Sequence, residues 1–171
     1  RVSLVKHSIE EQVLIELRRI LRATQLGART LARESGMTTS QLVVLQILNS
    51  QGEMTARQIA ESMHLTQATV TTLLDRLQDR GWITRRRGEQ DRRRVYVQLS
   101  DEGRRQLERT PESLQERFLG QFTGLQAWEQ SMILAALQRV AHLLDGASID
   151  ASPVLDVGRI DRPADEANEG M

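Results

Sequence analysis

At 171 residues the chain has room for one globular domain with appendages, and its 39% apolar content is enough for a real core. Cysteine is absent, which excludes a disulfide framework, thiolate metal sites, cysteine nucleophiles and thiol redox sensing. The net charge of zero is unevenly spread, +3 over residues 1–52, +3 over 53–100, −2 over 101–145 and −4 over 146–171, so local charge governs partner choice.

No apolar run approaches the roughly 18 residues of a membrane span, so no membrane association is expected. From Arg1 onward the sequence lacks the charged-then-apolar profile of a secretory signal. A chain without cysteine suits a reducing cytoplasm, the expected compartment. The first aromatic residue is Trp82, so the core before it must be aliphatic, which favours helix-on-helix packing.

From Ser8 to about Glu34, Ile9, Val13, Leu17, Ile20, Leu21, Ala28 and Leu31 keep the helical period. Ser8 with Glu11 three residues on forms a capping box, and Ser35-Gly36 is the stop signal. So long a helix with an apolar stripe needs a partner surface beyond its own small domain. A second helix, about Ser40–Asn49, closes at Gln51-Gly52. Thr55 then caps a short helix with Ile59, Ala60 and Met63 on its apolar face. His64-Leu65 makes a tight turn, and Thr66 caps a helix to about Arg80 with Val70, Leu73, Leu74 and Leu77 on one side. Two short helices joined in this way read as a helix-turn-helix.

Gly81 stops that helix. Trp82-Ile83-Thr84-Arg85 reads as a strand, 88–91 as a turn and 94–99 as a returning strand. A lone hairpin is unstable unless it docks on helices, so the unit is expected to be a winged helix. Its tip is expected to carry Arg85, Arg86, Arg87, Arg92, Arg93 and Arg94, more cations than folding requires. After Ser100, Thr110-Pro111-Glu112 reads as an N-cap with proline at the first helical position, breaking the helix before it. The last helix, about Leu125–Leu144, has Leu125, Trp128, Met132, Ala136, Val140 and Leu143 in one stripe and Ile133, Leu137 and Leu144 on a second face. So wide an apolar circumference needs more than one neighbour. The acidic stretch 146–171, punctuated by glycine and proline, is expected to be mostly disordered.

Three pieces, 74–83 (LDRLQDRGWI), 91–94 (DRRR) and 99–103 (LSDEG), together resemble the MarR family of bacterial transcription regulators. In that pattern a recognition helix ends in an arginine-glycine pair, an Asp-x-Arg wing follows, and a Leu-Thr-x-x-Gly sequence starts the next helix. Ser100 stands for the usual threonine and keeps the capping hydroxyl. The resemblance spans about residues 9–145. It implies a mainly α winged helix-turn-helix with a small β-hairpin wing, forming a homodimer through its N- and C-terminal helices. It also implies a small-molecule or stress signal that changes DNA affinity. The expected organisation is an N-terminal dimerisation helix at 8–35, a DNA-binding region at 36–100, linker and dimerisation helices at 101–145, and the tail.

The residues themselves suit that role. The major groove distinguishes all four base pairs, and the candidates to read it are Thr66, Gln67, Thr69, Thr71, Thr72 and Arg76. The bland alternative is that the threonines cap and solvate their helix. Arginine suits a narrow, negative minor groove, and the resemblance implies that Asp91 orients Arg93 there, with Arg92 and Arg94 on phosphates. Two copies about 34 Å apart would read successive faces of one duplex, joined through Ile9, Val13, Leu17, Leu125, Trp128, Met132, Ala136, Val140 and Leu143. The expected function is a homodimeric repressor of a pseudo-palindromic operator in double-stranded DNA. The alternative is a winged-helix module that meets protein or RNA.

Enzymatic readings find little support. His7, His64 and His142 lack metal-ligand spacing, and neither a glycine-rich phosphate loop nor a Ser/His/Asp signature is present. No cofactor or metal is expected. Arg18, Arg19, Arg22 and Arg29 on the first helix suit an anionic or amphipathic effector. Residues 17–23 (LRRILRA) also resemble regulators of compatible-solute synthesis in the same family. A betaine-type cation needs an aromatic cage, to which Trp82, Tyr96, Phe118, Phe122 and Trp128 would have to contribute.

Overall fold

Six helices begin at a hydroxyl. Ser8, Thr38, Thr55, Thr66, Ser100 and Ser113 each accept the backbone N–H three residues on, satisfying donors that a helix start leaves unpaired. The computed structural model describes residues 8–89, 91–146, 149 and 151–155. Its elements in chain order are α1 (Ile9–Ser35), α2 (Thr39–Gln51), β1 (Met54–Thr55), α3 (Ala56–Met63), α4 (Gln67–Asp79), β2 (Ile83–Arg87), β3 (Val95–Leu99), α5 (Asp101–Arg109), α6 (Leu114–Thr123) and α7 (Ala127–Leu143). Among the described residues no helix is long and apolar enough to cross a membrane.

The expected hairpin is part of a three-stranded antiparallel sheet in the order β1-β3-β2. In it Met54 pairs with Val97, Ile83 with Leu99 and Arg85 with Val97. β1 is two residues long, too short to show an alternating pattern in sequence. The core lies in the lobe these elements build, with Leu31 of α1 added to it: Met37, Leu42, Leu45 and Leu48 from the α2 region, Ile59 and Met63 from α3, Val70, Leu73, Leu74 and Leu77 from α4, and Ile83, Val97 and Leu99 from the sheet. Ala60, 4% exposed, is small where α3 packs against α4.

Three boundaries move. Thr110 is the C-cap of α5, and buried Ser113 caps α6, so the break at Pro111 lies between two helices instead of opening one. The last helix starts after Gln126, which leaves Leu125 in the preceding turn, where its N–H donates to Phe122 O. Residues 151–155 do not continue as solvated tail: Val154 packs against the core, and Ser152 and Leu155 are hydrogen-bonded. The rest of the expected disordered stretch, apart from Gly146 and Ile149, lies outside the described residues, as does His7.

Candidate nucleic-acid interface

α4 presents its polar side to solvent because Val70, Leu73, Leu74 and Leu77 face the core. Thr66 caps the helix, and its hydroxyl lies 2.9 Å from that of Thr69. Thr71 Oγ1 donates to Gln67 O at 2.8 Å, and Thr72 Oγ1 to Ala68 O at 3.2 Å. With their protons committed to the backbone, Thr71 and Thr72 offer outward a methyl group and an acceptor lone pair. Gln67, the exposed first residue of α4, keeps its side-chain donor and acceptor both free among the described residues. Arg76 is half-buried, and its Nη1 is enclosed without an acceptor among the described residues.

The six arginines do not gather at the hairpin tip. Arg85, Arg86 and Arg87 lie in strand β2. Arg85 shares the inward face with Ile83 and pairs with Asp75 of α4 at 2.7 Å, docking the wing on that helix. Arg86 grips Glu53 with two donors, Nη2 to Oε2 at 2.6 Å, and lies 5.5 Å from the Tyr96 ring centre. The Glu53 carboxylate raises the Arg86 guanidinium further above its ordinary value, so it stays charged. Asp91 does not hold the Arg93 side chain. Its Oδ1 accepts the Arg93 backbone N–H at 2.9 Å, and its Oδ2 stands 3.8 Å from Arg94 Nε. The turn is therefore shaped around the carboxylate, while Arg87, Arg92 and Arg93 stand exposed with no carboxylate partner among the described residues.

A cleft of about 520 Å³ opens between the start of α3, the start of α4 and the wing, lined by Thr55, Arg57, Gln58, Gln67, Arg93 and Tyr96 among others. First-turn residues of two helices, Ala56, Arg57 and Gln58 of α3 and Gln67 of α4, line it, and a helix start favours negative charge. Arg57, which pairs with Glu61 at 2.9 Å from a largely exposed position, adds a cation. Sequence reasoning missed Arg57, Gln58 and Tyr96, because only the packing of α3 beside the wing brings them to Gln67 and Arg93.

The MarR family model matches residues 37–95. The HTH-type transcriptional regulator YwhA of Bacillus subtilis is 34% identical over 99 residues, which cover 58% of this chain and 71% of that protein. The chain belongs to the MarR family. It is a DNA-binding transcription regulator and not an enzyme. Its similarity extends to the B. subtilis transcriptional repressor MdtR, 30% identical over 112 residues that cover 64% of this chain and 72% of MdtR. A solved structure of the Streptomyces coelicolor regulator PcaV in complex with its natural ligand matches with a TM-score of 0.56 at 28% identity, over 84% of this chain and 98% of that one.

The MarR motif residues have plain structural work. Gly81, at φ 72°, lets Trp82 N–H reach Leu77 O and Gly81 N–H reach Gln78 O, a Schellman close that only a left-handed residue permits cheaply. Arg80 stacks 4.9 Å from the Trp82 ring centre and donates to Gly36 O, tying the end of α4 to the end of α1. Ser100 caps α5 and also donates to Gly81 O at 2.6 Å. A Cβ on Gly103 would sit 2.0 Å from Trp82 O, so the start of α5 meets the wing only with glycine there.

The helical base leaves its apolar residues open. Between the first half of α1 and α7 runs a groove of about 660 Å³ lined by Ile9, Val13, Leu17, Ile20, Ala136, Leu137 and Val140 among others. Trp128, Met132 and Leu143 lie exposed on α7. A smaller cavity, about 280 Å³, lies where Gly27 of α1 meets Leu114 of α6, with Leu26, Thr30, Pro111 and Arg117 around it. Arg18, Arg19 and Arg22 rim a shallow apolar hollow floored by Ile15, Ala23 and Leu26, and Arg19 there pairs with Glu16 at 2.7 Å. Arg29, half-buried, lines none of these. Among the described residues the aromatic side chains build no cage: Arg80 and Arg86 stack on Trp82 and Tyr96, and Phe118 stacks on Phe122 at 5.4 Å.

Proposed function

We propose that this protein is a homodimeric, ligand-responsive repressor that binds a pseudo-palindromic operator. The observation that carries the reading is one cleft on which the free Gln67 amide at the start of α4, Arg57 of α3 and the unpaired Arg93 of the wing stand together. Gln67 and the threonines Thr66, Thr69, Thr71 and Thr72 read base edges in the major groove, with Gln67 suited to adenine. Arg93 enters the adjoining minor groove, while Arg57, Arg87, Arg92 and Arg94 neutralise phosphates. Arg85 and Arg86 hold the wing in place for this purpose, while Arg76, half-buried on α4 with an enclosed Nη1, is left out of the base-reading set.

One such surface binds weakly at physiological salt because phosphate contacts are screened. The open groove between α1 and α7, together with the exposed side of α7, supplies the second copy's seat, so that two lobes meet one duplex. MdtR's description as a repressor supports the sign of the effect, and PcaV's ligand supports an effector. The cavity at Gly27 and Leu114 is its expected place, with the arginine-rimmed hollow on α1 beside it favouring an anion. The test is selection of duplex DNA from a random library by the purified protein, with sedimentation of the free protein alongside. A two-fold symmetric motif with half-sites about one helical turn apart, bound by a dimer, is the expected result. A folded protein that enriches no motif overturns the operator reading and leaves a winged helix that meets protein or RNA.

A further inference from the structure

Residues 151–155 return to the helix-turn-helix from the far end of the described chain. Ser152 Oγ donates to the carbonyl oxygen of Met63 at 2.6 Å. Met63 is the last residue of α3, directly before His64, which turns the chain in the left-handed region at φ 52°. Carbonyls at a helix end lack an intrahelical donor, and Ser152 supplies one at the turn between the two helices of the helix-turn-helix. Val154 packs against the core of the lobe.

On its other side the segment is held by α6. Gln115 Nε2 donates to Pro153 O at 3.4 Å, and Gln115 Oε1 accepts the Leu155 N–H at 2.9 Å, so one side-chain amide brackets Val154 as a neighbouring strand would. The first turn of α6 is itself a junction. Leu114 sits against Gly27 of α1, Glu116 accepts from Gln46 of α2 at 2.6 Å, and Ser113 is buried. Holding five residues costs roughly 1–2 kcal/mol of backbone entropy each. A hydrogen bond to an end carbonyl, an apolar anchor and a two-point amide clamp act together against that loss.

We infer that residues 151–155 are a strap that fixes the tilt of the helix-turn-helix on the helical base. This rests on the dimeric, operator-binding reading above: in a dimer the tilt sets how far apart the two recognition helices stand, and half-site spacing follows from that distance. The strap leaves the base-reading residues untouched and acts on their placement. Because it joins Met63 to the α6 turn that walls the cavity at Leu114, it also makes that wall and the DNA-reading turn move as one body.

The test compares the full chain with a chain ending at Asp150, a chain ending at Leu155 and the full-length variant Gln115→Ala. Hydrogen exchange at the His64 and Leu65 amides, without DNA, reports the strap by itself. Affinity for duplexes of varied half-site spacing reports its consequence. The chain ending at Asp150 and Gln115→Ala are expected to exchange faster at both amides. They should also bind the preferred spacing between about twofold and thirtyfold more weakly, the span of coupling through packed networks. The chain ending at Leu155 should match the full chain in both. Unchanged exchange after loss of 151–155 overturns the strap, whether or not an operator has been found. So does an equal change on losing 156–171 alone, which assigns the effect to the acidic residues that follow.

Discussion

The winged-helix lobe and the helical base use similar side chains to opposite effect. In the lobe most aliphatic residues between Met37 and Leu99 lie in one core, Met37, Val44, Leu45, Ile59, Val70, Leu73 and Leu77 among them showing no exposure at all. In the base, α6 and α7 contain no buried residue, and α1 buries only Ala28, Leu31 and Ser35 at its final turns. Ile9 is 75% exposed, Trp128 65% and Leu143 67%. Apolar area of that extent on facing helices is a surface awaiting another. The lobe therefore closes its own core, whereas the base leaves its apolar face open, which the proposed dimer would cover with a second copy.

The comparison breaks most sharply at α7. Val140→Asp, which sets a charge in the α1–α7 groove, should weaken self-association by roughly 4 kcal/mol, about a thousandfold. Circular dichroism should still show a folded lobe, and sedimentation should show monomer. A Val140→Asp protein that stays dimeric at micromolar concentration would place the second copy elsewhere. Leu73→Ala attacks the lobe instead. From a site with no exposure, it should cost about 2–5 kcal/mol of unfolding free energy, read by denaturant titration.

Smaller effects separate reading from positioning within the lobe. Gln67→Ala should relax one position of each half-site by about 1–3 kcal/mol, seen as lost preference in library selection. Arg93→Ala should weaken binding, reduce preference for A·T-rich flanks and lower the salt slope by about 1. Unchanged sequence preference in both variants would remove them from the base-reading set. Smallest is His64→Gly: relief of the left-handed conformation is offset by added freedom of the unfolded chain, so the net should stay below about 1 kcal/mol in thermal denaturation.

Much of the lobe is legible in the amino-acid sequence. The hydroxyl caps at Ser8, Thr55, Thr66 and Ser100, the stops at Gly36 and Gly81, and the core faces of α3 and α4 follow from spacing. They depend on hydrogen bonds and neighbours within about five residues along the chain. The wing's arginines are visible as a cluster, but their division is not. Arg85 and Arg86 are tied to Asp75 and Glu53, whereas Arg87, Arg92 and Arg93 stand free among the described residues.

Sequence alone thus determined the helices of the lobe with most of their caps and stops, the helix-turn-helix and the family. Tertiary structure decided which cations are left for a partner, that β1 joins the sheet, that Asp91 shapes the turn through the Arg93 backbone, and that residues 151–155 bind Met63 and Gln115. The reason is range. Caps and periods are written into neighbouring residues, whereas an ion pair such as Glu53–Arg86, 33 residues apart, or a hydrogen bond such as Ser152–Met63, 89 apart, exists only once packing has brought distant segments together.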